Sequence, residues 1–118
     1  MKEEFEPWIG VDLDGTLAEH ATGRFRKNKI GKAVPLMVKK VRDMWERGQC
    51  VKIFTARVAR DKSMVKVIQA WLMENGLPRL EVTNIKDPGM TKLYDDRAVQ
   101  VEMNTGKTLI EEMDAKRV

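Results

Sequence analysis

Twice in this chain an amphipathic helical pattern runs into a glycine and then into a short β-branched stretch, and both repeats follow an apolar run near the N-terminus. That first run is Trp8-Ile9-Gly10-Val11. In the first repeat Val34, Met37, Val38, Val41, Met44 and Trp45 fall on one helical face. Pro35 suits the first turn, Gly48 suits the stop, and residues 50–54 supply a second strand. In the second repeat Asp61 is a candidate N-cap, and Met64, Val65, Ile68, Trp71 and Leu72 form the face. Gly76 ends that helix, and residues 80–83 form a third strand. A strand followed by two helix–strand units folds naturally as a parallel sheet with right-handed crossovers. Trp45 and Trp71 stand at matching points of the two repeats and are expected to anchor their helices against the sheet.

Past Asn84 the rhythm changes. Lys86-Asp87-Pro88-Gly89-Met90 has turn chemistry, and Leu93-Tyr94 follows a few residues later, so this connection is extended or a single turn rather than a crossover helix. Residues 98–101 are expected as a fifth short strand. Residues 108–116 are expected as a last helix with Leu109, Ile110 and Met113 inward, and the polar stretch 19–32 as a small hairpin or ordered loop. The expected fold is α/β: a Rossmann-like three-layer sandwich with a mainly parallel sheet of about five strands, helices on both faces and no cap domain. A single domain over residues 1–118 accounts for the length.

Chemistry concentrates at the strand ends. The first run closes in Asp12-Leu13-Asp14-Gly15-Thr16-Leu17. Residues two apart on a strand point to one side, so Asp12 and Asp14 are placed to face one small volume, and Gly15 allows a sharp turn just after them. Two like charges that close repel unless a cation lies between them or one keeps its proton. The second strand ends in Thr55-Ala56-Arg57, and the fourth in Asp95-Asp96-Arg97. Ligands of open parallel α/β sheets bind outside the C-terminal strand edge, where these residues converge. Four carboxylates with few His or Cys make a hard oxygen cage suited to Mg²⁺ and unsuited to structural zinc. The lone His20 belongs to a surface loop in this reading. An acidic metal site with a hydroxyl and a lysine nearby suits phosphoryl transfer, in which one carboxylate attacks phosphorus and another moves the proton.

Asp-Leu-Asp-Gly-Thr-Leu, Ile-Phe-Thr-Ala-Arg, a lysine and Leu-Tyr-Asp-Asp-Arg, in that order, resemble the four motifs of the haloacid dehalogenase-like phosphatase superfamily. The likeness runs from Asp12 to Asp96. It implies Asp12 as nucleophile and Asp14 as general acid/base, with the Asp14 backbone carbonyl on the metal. It implies Thr55 as a hydrogen-bond donor to the phosphoryl group, and Asp95 and Asp96 as holders of Mg²⁺, directly or through water. For the lysine, Lys86 lies in the loop after the third strand and is preferred over Lys92, which falls at the start of the fourth strand, roughly 10 Å from the edge. The candidate substrate contacts are Thr55, Lys86, Gly15 and Arg57; for Arg57 and Arg97 a salt bridge to a neighbouring carboxylate is the alternative. Larger relatives carry a cap after the first motif or between the second and third, and neither gap has room for one here. The capless branch includes small bacterial and phage proteins and the phosphatase half of polynucleotide kinases.

Charge bears on the partner. Residues 24–66 hold fourteen Lys or Arg against three acids, although the whole chain is only +4. A basic sector beside an acidic centre suits an anionic substrate with a bound cation, and the basic residues Arg24, Arg26, Lys27, Lys29 and Lys32 with Phe25 point to a nucleotide or a nucleic-acid end phosphate. The expected partner is therefore a phosphorylated substrate. A phosphoacceptor receiver domain is disfavoured, because its adjacent acid pair comes first and here it comes last. The alternative from another class is a catalytically weak binding module of the same fold that docks nucleic acid or another polyanion through the basic sector. No apolar window reaches membrane-spanning length, the N-terminus lacks signal-peptide character, and the single Cys50 excludes an internal disulfide, so a cytoplasmic location is expected. Cys50 itself is expected to pack as a small apolar side chain. Nothing in the sequence indicates a homo-oligomer.

Overall fold

The computed structural model describes residues 4–20 and 29–109. Along the chain run β1 (Trp8–Val11), α1 (Pro35–Glu46), β2 (Val51–Phe54), a short 3-10 turn (Ala56–Val58), α2 (Met64–Glu74), β3 (Glu81–Thr83) and β4 (Met90–Tyr94). The four strands form one sheet in the order β3-β2-β1-β4, and every neighbouring pair is parallel. The parallel α/β fold expected from the two helix–strand repeats is present.

Its core is a single apolar layer. Ile9, Val11, Val51, Ile53 and Val82 from the sheet pack with Val38, Val41 and Met44 of α1 and Met64, Ile68 and Leu72 of α2. Burying a side chain of the size of Leu72, which is 0% exposed, contributes about 1.5–3 kcal/mol. Both helices are thus on one face of the sheet. Two successive right-handed crossovers that step the same way, from β1 to β2 to β3, must put their helices on the same side. The sheet then reverses: the chain passes from β3 back across to β4 through residues 84–89 without a helix, as the turn chemistry there requires.

The opposite face has a cover of side chains instead of a helix among the described residues. Trp8 is 2% exposed and lies 6.4 Å from the Phe54 ring; Lys52 Nζ sits 4.8 Å over the indole and pairs with Glu81 at 3.1 Å. Gly10 makes room for this arrangement, since a Cβ there would lie 2.9 Å from the Met90 side chain and 3.2 Å from the Trp8 ring. The indole Nε1–H donates to Asp87 Oδ1 at 2.7 Å, fastening the β3–β4 turn to β1 and holding the Asp87 carboxyl below its ordinary range.

Several expectations are corrected. The sheet has four strands: residues 98–101 make only an isolated antiparallel bridge, Val101 with Thr108, rather than a fifth strand. The two described helices pack on one face of the sheet, and of the last helix expected over residues 108–116 only Thr108 and Leu109, which are not helical, fall among the described residues. Trp45 is 48% exposed and not a core anchor, whereas Trp71 packs against the core and donates from Nε1 to the Gly31 carbonyl at 3.2 Å. Cys50 is exposed, one residue before β2, and its backbone carbonyl accepts from Ile9 N–H at 2.8 Å. α2 begins at Met64, and Asp61 bonds the Ser63 backbone N–H at 3.0 Å in the turn ahead of it. β4 begins at Met90, so Lys92 falls within the strand opposite Ile9. The ends of the expected hairpin do pair, Ala18 with Ala33 and Glu19 N–H with the Lys32 carbonyl. Residues 21–28 with Arg24 to Lys27, and 110–118 with Ile110 and Met113, lie outside the described residues. No described helix is long and apolar enough to cross a membrane.

Candidate active site

β1 is an inner strand and β4 pairs beside it at the end of the strand order, so the residues that follow the two strands meet at the same C-terminal edge. The ladder continues past Val11: Asp12 N–H donates to the Tyr94 carbonyl at 2.9 Å. A register shift between Trp8 and Ile9 sets Met90 opposite Trp8 and Lys92 opposite Ile9, leaving Thr91 as the extra residue on β4. Its hydroxyl donates to the Trp8 carbonyl at 3.2 Å. This irregularity places Tyr94 opposite Val11, and with it Asp95 and Asp96 beside Asp12.

The three carboxylates Asp12, Asp95 and Asp96 each offer an oxygen, all within 4.8 Å of one another. Asp12 responds to that setting. Burial first, then the Asp95 charge and a side-chain hydrogen bond with Asp96, push its carboxyl up from 3.8 to about 7. A cation among three hard oxygens would remove that conflict, and the donor set fits Mg²⁺. Asp96 is further fixed by Thr16, whose hydroxyl donates to Asp96 Oδ1 at 3.3 Å and accepts from the Asp96 backbone N–H at 3.1 Å. Thr16 thus joins the site as a positioning residue; the Gly-Thr that follows the two acids was its signal in the sequence.

Gly15 is where the chain bends away. Its φ is +90°, and a Cβ would lie 2.6 Å from Asp96 Oδ2. Gly15→Ala is therefore expected to cost about 1–2 kcal/mol from the left-handed backbone alone, with a further loss as Asp96 is pushed from the trio. Urea denaturation measures it; an unchanged midpoint would mean that the turn relaxes freely.

Asp14 takes a different partner from the trio. Because β1 stops at Val11 and the chain turns through Leu13 to Ala18, its carboxylate faces Arg57, which donates from Nε to Oδ2 and from Nη2 to Oδ1, both at 2.7 Å. The pair is sheltered, with side-chain exposures of 5% for Arg57 and 20% for Asp14. Arg57 also donates to the Lys29 carbonyl at 3.0 Å. The salt bridge to a neighbouring carboxylate expected as one option for Arg57 is present. Thr55, 3% exposed at the end of β2, accepts the Arg57 backbone N–H on its hydroxyl at 3.2 Å and so shapes the turn that presents the guanidinium.

Asp12, Asp14, Arg57 and Asp95 line one cavity of about 700 Å³ together with His20, Arg60 and Arg97. Lys86 is exposed in the β3–β4 loop, and neither it nor Lys92 is among the lining residues. The structure therefore brings together the acids of β1 and β4 with the turn after β2, and leaves the lysine apart.

No family model matches the chain, and no curated protein does. A solved structure, that of a conserved protein coded by a locus from Bacteroides thetaiotaomicron, is similar over 97% of this chain and 93% of that one, at 22% identity and a TM-score of 0.58. At that identity the likeness concerns the fold, and it agrees with the small parallel-sheet α/β architecture described above.

Proposed function

We propose that this chain is a Mg²⁺-dependent phosphomonoester hydrolase of the haloacid dehalogenase-like type. The observation that carries the proposal is the convergence of Asp12 with Asp95 and Asp96 at the edge of the parallel sheet, on a cavity that Asp14 also lines. Asp12, Asp95, Asp96 and the Asp14 backbone carbonyl would hold the ion. When bound, Mg²⁺ supplies charge neutralisation for the oxygens of the phosphoryl group.

The chain's own residues then divide the work. An Asp12 carboxylate oxygen attacks phosphorus, forming an aspartyl phosphate as the ester P–O bond breaks. Asp14 gives a proton to the departing oxygen. It next takes one from water, which attacks the acyl phosphate, so that phosphate leaves and Asp12 is regenerated. Both Asp14 oxygens accept from Arg57 in this conformation, so one of those bonds must open for the proton to pass. Thr55 and Arg57 would hydrogen-bond the phosphoryl group, and Lys86 would have to swing in from its loop to touch it.

Purified protein with Mg²⁺ should release phosphate from an aryl phosphate, and chelation should stop it. A protein that binds Mg²⁺ yet releases none would instead favour the second reading, a binding module for polyanions. Two observations favour that reading: Lys86 is off the cavity, and Asp14 is bound at both oxygens. The basic sector would then dock a nucleotide or a nucleic-acid end without turnover.

A further inference from the structure

Two arginines on the cavity wall have no part in the phosphoryl-transfer reading. Asp12 and Asp95 are directed with Asp96 to the cation position, Asp14 is matched by Arg57, and Asp61 Oδ1 accepts from Ser63. Arg60 and Arg97 remain. Both are exposed on the cavity wall, and neither guanidinium makes a hydrogen bond or ion pair among the described residues. They come from different elements: Arg60 from the turn between β2 and α2, Arg97 from the residues after β4. Apolar surface from the exposed Ala56 and Ala59 lines the same space. At about 700 Å³ the cavity has room for an organic body well beyond a phosphoryl group.

We propose that Arg60 and Arg97 form a second anion position in this cavity, and that the substrates are phosphomonoesters carrying another anionic group, a phosphate or a phosphodiester, on the same organic body. The inference rests on the phosphatase reading for turnover, but not for binding. A planar guanidinium offers paired N–H donors in the geometry that phosphate oxygens accept, and such charge-assisted bonds are strong where the site is partly screened from water. The scissile phosphate sits at Asp12, the organic body rests on the alanines, and the second anion meets the arginines. A phosphomonoester without that second group leaves both guanidinium groups to solvent.

Steady-state kinetics of the full chain with Mg²⁺ on three substrates test this: a nucleoside 5′-monophosphate, the corresponding 3′,5′-bisphosphate and a 3′-phosphorylated oligonucleotide. The bisphosphate and the oligonucleotide should exceed the monophosphate in kcat/KM by about tenfold or more, mostly through KM. Arg60→Gln and Arg97→Gln should each collapse that ratio. A preference confined to one of the two would tell a free nucleotide from a strand end. Equilibrium binding of the same ligands to Asp12→Asn separates the two levels of the argument. Equal affinity for monophosphate and bisphosphate, unaltered by either arginine substitution, would overturn the second anion position. Arginine-dependent preference in binding without turnover of any ligand by the native chain would keep it and remove the phosphatase.

Discussion

Asp12→Asn is expected to lower Mg²⁺-dependent phosphate release by about 10⁴-fold or more, because it replaces the carboxylate proposed to attack phosphorus with an amide of the same shape that cannot form the aspartyl phosphate. The substitution leaves the surroundings in place. Asp12 N–H still meets the Tyr94 carbonyl, and Val11 and Leu13 on either side stay buried. An amide beside Asp95 and Asp96 also ends the charge conflict that raises the Asp12 carboxyl. Loss of activity therefore cannot be attributed to a broken fold if the variant melts at or above the temperature of the native chain. Phosphate release under saturating substrate is the measurement. Turnover that survives the substitution would remove Asp12 from its role, whatever happens to stability.

The second large effect concerns the same residue without metal. In the unfolded chain Asp12 titrates near 3.8, and in the fold near 7, so the folded state holds its proton to higher pH. Its contribution is fully present below about pH 4 and is lost as pH rises through 7. Metal-free protein should become less stable between pH 5 and pH 8, by about 2 kcal/mol once solvent screening of a half-buried group is allowed for. Asp12→Asn should flatten this dependence. Mg²⁺ should reverse it, since the ion binds the deprotonated fold and stabilises it by mass action. Urea titrations in chelator across that pH range, repeated with excess Mg²⁺, measure both arms. A native chain whose metal-free stability does not fall on the alkaline side, or a variant that keeps the slope, would refute the crowding of the three carboxylates.

How much of this was legible follows from the range over which each signal acts. The helix–glycine–strand repeats are local patterns, and they led to the parallel sheet and the strand edge where Asp12, Asp95 and Asp96 meet. Trp45 shows the limit of periodicity. It identifies the inward side of α1 but not whether the sheet extends beneath the last turn, and Trp45 is half exposed there. Residues 98–101 show the limit of propensity: β-branched composition does not supply a neighbouring edge to pair with, and only Val101 forms a bridge. Cys50 stands one position before the strand, where one residue separates a buried side chain from an exposed one. The Arg57–Asp14 pair joins residues 43 apart across a turn whose shape depends on Thr55, so the sequence left ion pair and substrate contact as equal options. Arg60 had no motif at all; its place became visible only with the cavity wall.

The adjacency of β1 and β4 also sets an order of events. Thr16 and Asp96 are 80 residues apart, and the contacts that bring Asp12 to Asp95 and Asp96 span a similar distance. Such contacts come at the expense of chain entropy before they return any stabilisation, and they form late in folding. During synthesis β1, α1, β2, α2 and β3 all leave the ribosome before Asp95 and Asp96 do. Asp12 is therefore made near the beginning and meets Asp95 and Asp96 only when β4 docks, so a nascent chain or one cut before residue 90 lacks the acidic trio on which the proposed chemistry depends.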